Sequence, residues 1–186
     1  MKVAQLGNKA HIHKNIIEAC KKGNESARYQ LYQLYAKAMY NVSYRMMNNR
    51  EEAEDMLQDA FTQAFMKLDS FRYDSSFGSW LKRIVVNTCI NAMNKRKVEL
   101  TYCEEVYSGN VFEEVEAEPR YTVQLVNRAM EQLPEGSRMV FSLYLMEGYD
   151  HGEIAQIMGI TESTSKSQYM RAKRKVAELL KGFTED

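Results

Sequence analysis

Apolar residues recur at spacings of three and four along most of this chain, the period of a helix with one buried face. The first such segment, Asn15–Lys22, is short and is closed by Gly23. Asn24 can then cap a helix to about Asn48, with Leu31, Leu34, Tyr35, Ala38, Val42 and Met46 toward a core. Asn49, with Glu52 three residues on, forms a capping box that opens the next helix, which runs to about Leu68. Its apolar side is Ala53, Met56, Leu57, Ala60, Phe61, Ala64 and Leu68. Phe71–Phe77 has no clean period and reads as a loop. From Gly78 to about Lys97 another helix carries Leu81, Ile84, Val85 and Thr88 inward.

The period then stops. Glu99–Pro119 is uniformly acidic, contains Ser108-Gly109-Asn110 and reads as a flexible linker. Tyr121–Leu133 resumes the helical pattern and is broken by Pro134, and a helix from about Glu135 to Glu147 stops at Gly148. In Tyr149–Lys181 a short helix capped by Asp150 ends at Gly159, and Thr161 starts a longer one. Ser165, Tyr169, Ala172, Val176 and Leu179 form the packed face of that longer helix, leaving Lys166, Ser167, Met170, Arg171 and Arg174 opposite. This is the helix-turn-helix arrangement that lays its second helix in a DNA major groove; the plainer alternative is a helical hairpin with a solvated basic face. The expected fold is all-α, with two small helical domains, residues 1–98 and 120–186, joined by an acidic linker, residues 99–119.

Composition narrows the class. With 186 residues, 45% hydrophobic and 27% charged, either one domain or two can bury a core. Two prolines and nine glycines favour long helices over many turns. Apolar runs such as Met139–Met146 are too short to span a membrane, and Met1–Ala10 lacks an apolar signal core, so a cytoplasmic protein with no membrane insertion is expected. Cys20, Cys89 and Cys103 are widely separated without CxxC spacing and read as reduced thiols. His11, His13 and Cys20 lack a fourth metal ligand in sensible spacing, so no metal site is expected. There is no glycine-rich phosphate loop and no Ser/His/Asp set, and the neighbours Glu54 and Asp55 point in different directions on their helix. The chain does not read as an enzyme, and no cofactor is expected.

The net charge of zero hides three pieces. Through Val98 there are 16 basic and 9 acidic residues; Glu99–Pro119 holds seven glutamates and no basic residue; from Arg120 nine of each remain. Arg83, Asn87, Asn91 and Asn94 line up at spacings of four, four and three on one helix. Asparagine is a poor helix former, and its amide can donate to and accept from base edges exposed on unpaired nucleotides. Lys82, Arg83, Lys95, Arg96 and Lys97 attract phosphate here with no acidic residue between Asp74 and Glu99. Trp80, with Phe71, Tyr73 and Phe77 nearby, either stacks on a base or anchors the core. On the preceding helix Glu51, Glu54, Asp55, Gln58 and Asp59 make an acidic face with no basic residue between Arg50 and Lys67, suited to solvent or to a basic protein partner.

Three blocks, EEAEDMLQDAFTQAF, FRYDSSFGSWLKRIVVNTCINAMNKRK and LPEGSRMVFSLYLMEGYDHGEIAQIMGITESTSKSQYMRAKRKV, together resemble the extracytoplasmic-function group of sigma-70 family RNA polymerase sigma factors. The resemblance covers both helical units in order and implies region 2 and region 4 domains. It implies a factor that binds polymerase core, directs it to promoters and helps melt DNA. By resemblance, Glu51, Glu54, Asp55, Gln58, Asp59 and Phe61 dock on the clamp helices of the largest polymerase subunit. Phe71, Tyr73, Trp80, Arg83, Asn87, Asn91, Lys95 and Arg96 recognise and open the minus-ten element, with Asn87 at a flipped base. Thr164, Lys166, Ser167, Met170, Arg171 and Arg174 read the minus-thirty-five element. The resemblance also implies a contact with the flap of the second-largest subunit, an anti-sigma partner, and a monomer when free. The alternative is a helix-turn-helix regulator that binds operator DNA without polymerase core.

Overall fold

Capping residues set the helix boundaries in the computed structural model, which describes residues 12–100 and 121–183. The helices are α1 (Lys14–Lys21), α2 (Glu25–Met47), α3 (Arg50–Met66), α4 (Phe77–Leu100), α5 (Val123–Glu131), α6 (Glu135–Phe141), α7 (His151–Met158) and α8 (Glu162–Gly182). A 3-10 turn, Leu68–Ser70, follows α3, and a π-helical turn, Ser142–Met146, continues α6. Asn24, Asn49, Thr122, Asp150 and Thr161 each accept a backbone N–H into their side chain, starting α2, α3, α5, α7 and α8. The chain divides into two compact units, Met1–Ala92 and Met93–Asp186. That division falls inside α4, ahead of the edge expected at Val98. Of the expected linker, residues 99–119, Glu99 and Leu100 end α4, and 101–119 lie outside the described residues.

In the first unit α2 packs against both α1 and α3. Its buried stripe is Ala27, Leu31, Met39, Val42, Ser43, Met46 and Met47. Leu34 and Ala38, expected inside, are exposed, with Leu34 at 50%. The stripe rotates along α2 toward Met39, Ser43 and Met47, which leaves both on the outer side. α4 is buried over a wide arc, Leu81, Val85, Val86, Thr88, Cys89, Ile90 and Met93, with Ile84 only half-buried. The Gln63 amide of α3 donates to the Thr88 hydroxyl at 3.2 Å, pinning the two helices. Gly78 leaves room for the Tyr35 ring, since a Cβ there would come 3.1 Å from Tyr35 Cε1.

In the second unit α8 is the hub, packing against α5, α6 and α7. Ala129, Met130, Leu133, Phe141, Ala172, Val176 and Leu180 form the core, with Tyr169 and Leu179 at its margin. The buried Arg138 guanidinium donates to the Leu133 carbonyl at 3.0 Å, occupying a carbonyl just beyond the end of α5. Gly148 ends the π turn at a φ of 79°, and Gly159 joins α7 to α8 at 66°, left-handed positions that favour glycine.

Candidate nucleic-acid interfaces

Ser76 begins α4, its hydroxyl accepting the Ser79 backbone N–H at 3.1 Å. Ahead of it the loop folds back, so that Phe71 and Phe77 are each 3% exposed and pack on Trp80, with ring centroids 5.3 and 5.6 Å away. Trp80 is half-buried, which combines both readings of it: one part rests on phenylalanines and the rest faces solvent. Arg83, Asn87, Asn91 and Asn94 continue from Trp80 along one side of α4, and all four are exposed. Lys95 is exposed and Arg96 half-buried on the same helix. The stripe is thus the exposed side of a helix whose Leu81, Val85, Val86, Cys89, Ile90 and Met93 are core.

Two residues expected on this surface are turned partly or wholly inward. Phe71 is buried and can only support Trp80 from behind. Tyr73 is half-buried, and its hydroxyl donates to Glu18 Oε1 on α1 at 2.5 Å. That bond, more than the opposing desolvation, holds the Glu18 carboxyl below its ordinary range, and Lys21 and Lys14 add to the effect. Burial, then Glu18, pushes the Tyr73 phenol up.

On α3, Glu51, Asp55, Gln58 and Asp59 are exposed, and half-buried Glu54 accepts from Arg50 Nε at 2.9 Å. Arg50 is itself exposed, so this is a surface pair, and Glu51, Asp55 and Asp59 keep the face acidic. Phe61, expected at a partner surface, is 3% exposed and packs edge-on to Tyr32 with centroids 4.8 Å apart. It lies on the buried side of α3, one residue from Ala60 and three from Ala64, and so supports the acidic face. A groove of about 700 Å³ runs beside that face, lined by Tyr32, Tyr40, Tyr44, Arg50, Glu54, Leu57 and Gln58. Its tyrosines come from α2 at spacings that read as ordinary partial burial, so no motif in the sequence singled them out.

The helix-turn-helix closes as its residues require. Asp150 Oδ1 accepts from Glu153 N at 2.8 Å while Glu153 Oε2 accepts from Asp150 N at 3.0 Å, a reciprocal cap on α7. Ser165, Ala172, Val176 and Leu180 are the buried face of α8. Thr164, Lys166, Arg171 and Arg174 are exposed, and Ser167 and Met170 half-buried. Lys166 pairs with Glu162 at 2.6 Å and Arg174 with Glu178 at 4.0 Å; among the described residues Arg171 makes no ion pair. A bond from His151 to buried Ser165 locks α7 to α8, and no spacing in the sequence signals it, since only the fold brings the two together.

Among the described residues no group of three or more His, Cys, Asp or Glu side chains is arranged to hold a metal. His11 lies outside them, His13 shares a hydrogen bond with the Tyr35 hydroxyl at 3.1 Å, and Cys20 is buried. No helix among the described residues is long and apolar enough to cross a membrane.

Two family models match the chain: Sigma-70 region 2 over residues 31–98 and Sigma-70 region 4 over residues 124–176. The ECF RNA polymerase sigma factor SigM of Mycobacterium tuberculosis is 34% identical over 160 residues, 85% of this chain and 79% of the relative. The ECF RNA polymerase sigma-E factor of Escherichia coli is 32% identical over 173 residues, 87% of this chain and 90% of the relative. Among solved structures, the sigma factor RpoE in complex with the anti-sigma factor NepR from Bartonella quintana superposes with a TM-score of 0.54 at 27% identity, covering 82% of this chain and 96% of that one. CnrH, solved with the cytosolic domain of CnrY, has a TM-score of 0.51 at 23% identity over 90% of this chain and 96% of its own, a likeness of fold.

Proposed function

The chain belongs to the extracytoplasmic-function group of sigma-70 family RNA polymerase sigma factors, and from that premise we propose how its own residues divide the work of initiation. The chain acts by binding, with no catalysis of its own, in the cytoplasm. Residues 1–98 engage polymerase core and the minus-ten element, and residues 120–186 engage the minus-thirty-five duplex.

The exposed stripe on α4 carries this reading. Trp80, Arg83, Asn87 and Asn91 offer a ring for stacking, a cation for phosphate and amides for the edge of an unpaired base, all on one side of the helix, across from its buried apolar residues. Unstacking a base costs a few kcal/mol, and such contacts offset it, so the stripe holds the melted state. Lys95 and Arg96 attract the backbone, while Phe71 supports Trp80 and Tyr73 shapes the loop. The acidic face Glu51, Glu54, Asp55, Gln58 and Asp59, supported by Phe61, docks on the basic clamp helices of the largest polymerase subunit. On α8, Thr164, Lys166, Ser167, Met170, Arg171 and Arg174 face the major groove. RpoE was solved with an anti-sigma factor, and this chain is proposed to be held in check by a partner of the same kind.

The test is reconstitution. Polymerase core plus this chain should protect the DNA upstream of its own gene from cleavage and expose reactive thymines in the minus-ten segment. Protection by the chain alone, as a dimer and without core, would instead identify an operator-binding regulator.

A further inference from the structure

The first helix is strapped to the loop ahead of α4. Besides the Tyr73–Glu18 bond, Lys21 Nζ donates to the Phe71 carbonyl at 3.1 Å, and the ammonium groups of Lys14 and Lys21 stand 5.4 and 5.0 Å from the Tyr73 ring centroid. Lys21 also pairs with Glu18 at 3.5 Å, so one small network grips side chain and backbone together. Tyr73 holds a φ of 65°, a left-handed backbone that a residue with a side chain keeps only where its surroundings over-determine it. The Phe71 and Tyr73 rings are in contact, centroids 4.7 Å apart, and Phe71 packs on Trp80. A displacement of Tyr73 therefore reaches the head of the asparagine stripe.

The network is not what anchors α1. Ile17 and Cys20, each 1% exposed, already bury that helix, and it packs on α2. The contacts to the loop are polar, partly exposed and additional to this anchorage. From this geometry we infer that α1 is a positioning element for minus-ten recognition, with Glu18 acting through Tyr73 to set the shape of loop 71–76 and so which unpaired base is accepted beside Trp80. The inference rests on the reading of that loop and α4 as the minus-ten surface.

The test uses the full chain bound to polymerase core. Single-stranded minus-ten oligonucleotides carrying each of the four bases at the captured position are compared for wild type, Tyr73→Phe, Glu18→Ala, Glu18→Gln and the Tyr73→Phe/Glu18→Ala double variant. Tyr73→Phe removes one oxygen, which keeps the series interpretable if Glu18→Ala folds poorly. Tyr73→Phe and Glu18→Ala should each blunt base discrimination by roughly tenfold, the scale of one well-aimed base contact. The double variant should do no worse, and Glu18→Gln, which retains an accepting oxygen, should recover part. Affinity for core and for minus-thirty-five duplex should not change. Variants that discriminate as sharply as a discriminating wild type would overturn the positioning role and leave the minus-ten reading standing. A core-bound wild type without base preference would overturn that reading and the inference with it.

Discussion

His151 Nδ1 lies 2.9 Å from the Ser165 hydroxyl, so the first residue of α7 is bonded to the first turns of α8 across the helix-turn-helix. The imidazole also stacks on Tyr144, with centroids 4.4 Å apart, and Tyr169 closes the group from α8. Ser165 is fully buried, which makes this hydroxyl a fixed point for the angle at which α8 is presented.

Ser165→Ala removes that point without adding bulk. Loss of one buried hydrogen bond costs about 1 kcal/mol, and the half-buried His151 can turn its free nitrogen to water. Ser165→Leu overpacks the same site and should cost about 1–3 kcal/mol. Thermal melting should rank wild type above Ala above Leu, with affinity for minus-thirty-five duplex falling in the same order. Wild-type melting and binding in the Ala variant would remove the bond from the account.

Asn87→Ala should move stability and function in opposite directions. Asn87 is exposed in mid-helix, where alanine is favoured by about 0.5 kcal/mol, so the variant should melt at or slightly above the wild-type temperature. Open-complex formation should nevertheless weaken, while duplex binding at the minus-thirty-five element holds. Equal loss of both activities would mean that Asn87 does not act at the melted strand.

These features differ in how far a linear pattern could reveal them. The caps at Asn24, Asp150 and Thr161 are local, set by a side chain and a backbone N–H within three residues, and were legible. The exposure of Arg83, Asn87, Asn91 and Asn94 was legible too, since the rest of α4 is apolar enough to demand burial. Leu34 and Ala38 misled because two different neighbours turn the buried stripe along α2, which one helical period cannot express. Phe71 and Phe61 read as contact residues by resemblance alone: the helical period already puts Phe61 on the apolar side of α3, where it meets Tyr32, and Phe71 sits in a loop without a period and packs on Phe77 and Trp80. The pairs His151–Ser165 and Glu18–Tyr73 join residues 14 and 55 positions apart, and no spacing rule reaches that far.

Asp55→Lys tests the acidic face. Asp55 is exposed on α3 and forms no ion pair among the described residues, so reversing its charge should leave the unfolding free energy within about 0.5 kcal/mol of wild type. Pull-down of polymerase core should weaken, most visibly at low salt where screening is least. Undiminished capture would exclude Asp55 from the contact.

Arg171→Ala should cost about 1–3 kcal/mol in minus-thirty-five binding and relax preference at one base position. Lys166→Ala should cost less, because Glu162 already engages that ammonium at 2.6 Å. Binding isotherms on single-base variants of the duplex separate the two; a uniform loss across sequences for Arg171→Ala would assign it to phosphate instead.

The Glu18–Tyr73 bond also has a pH window, and Trp80, the single tryptophan, can report it through Phe71. Glu18 is held below its ordinary value of 4.5 first by the Tyr73 bond. A carboxylate depressed in this way stabilises the fold fully above 4.5 and loses its effect as pH falls through the lower folded value. Tyr73, raised above its ordinary value of 10 by burial and then by Glu18, contributes below 10 and releases only as pH rises through its higher folded value. Trp80 emission should therefore stay flat through neutral pH and change only in acid below 4.5 or in strong alkali. In Tyr73→Phe the bond that couples Glu18 to the loop is absent, so the acid change in Trp80 emission should be lost or much reduced. Identical acid titrations in the two proteins would show that the bond does not hold the loop beside Trp80.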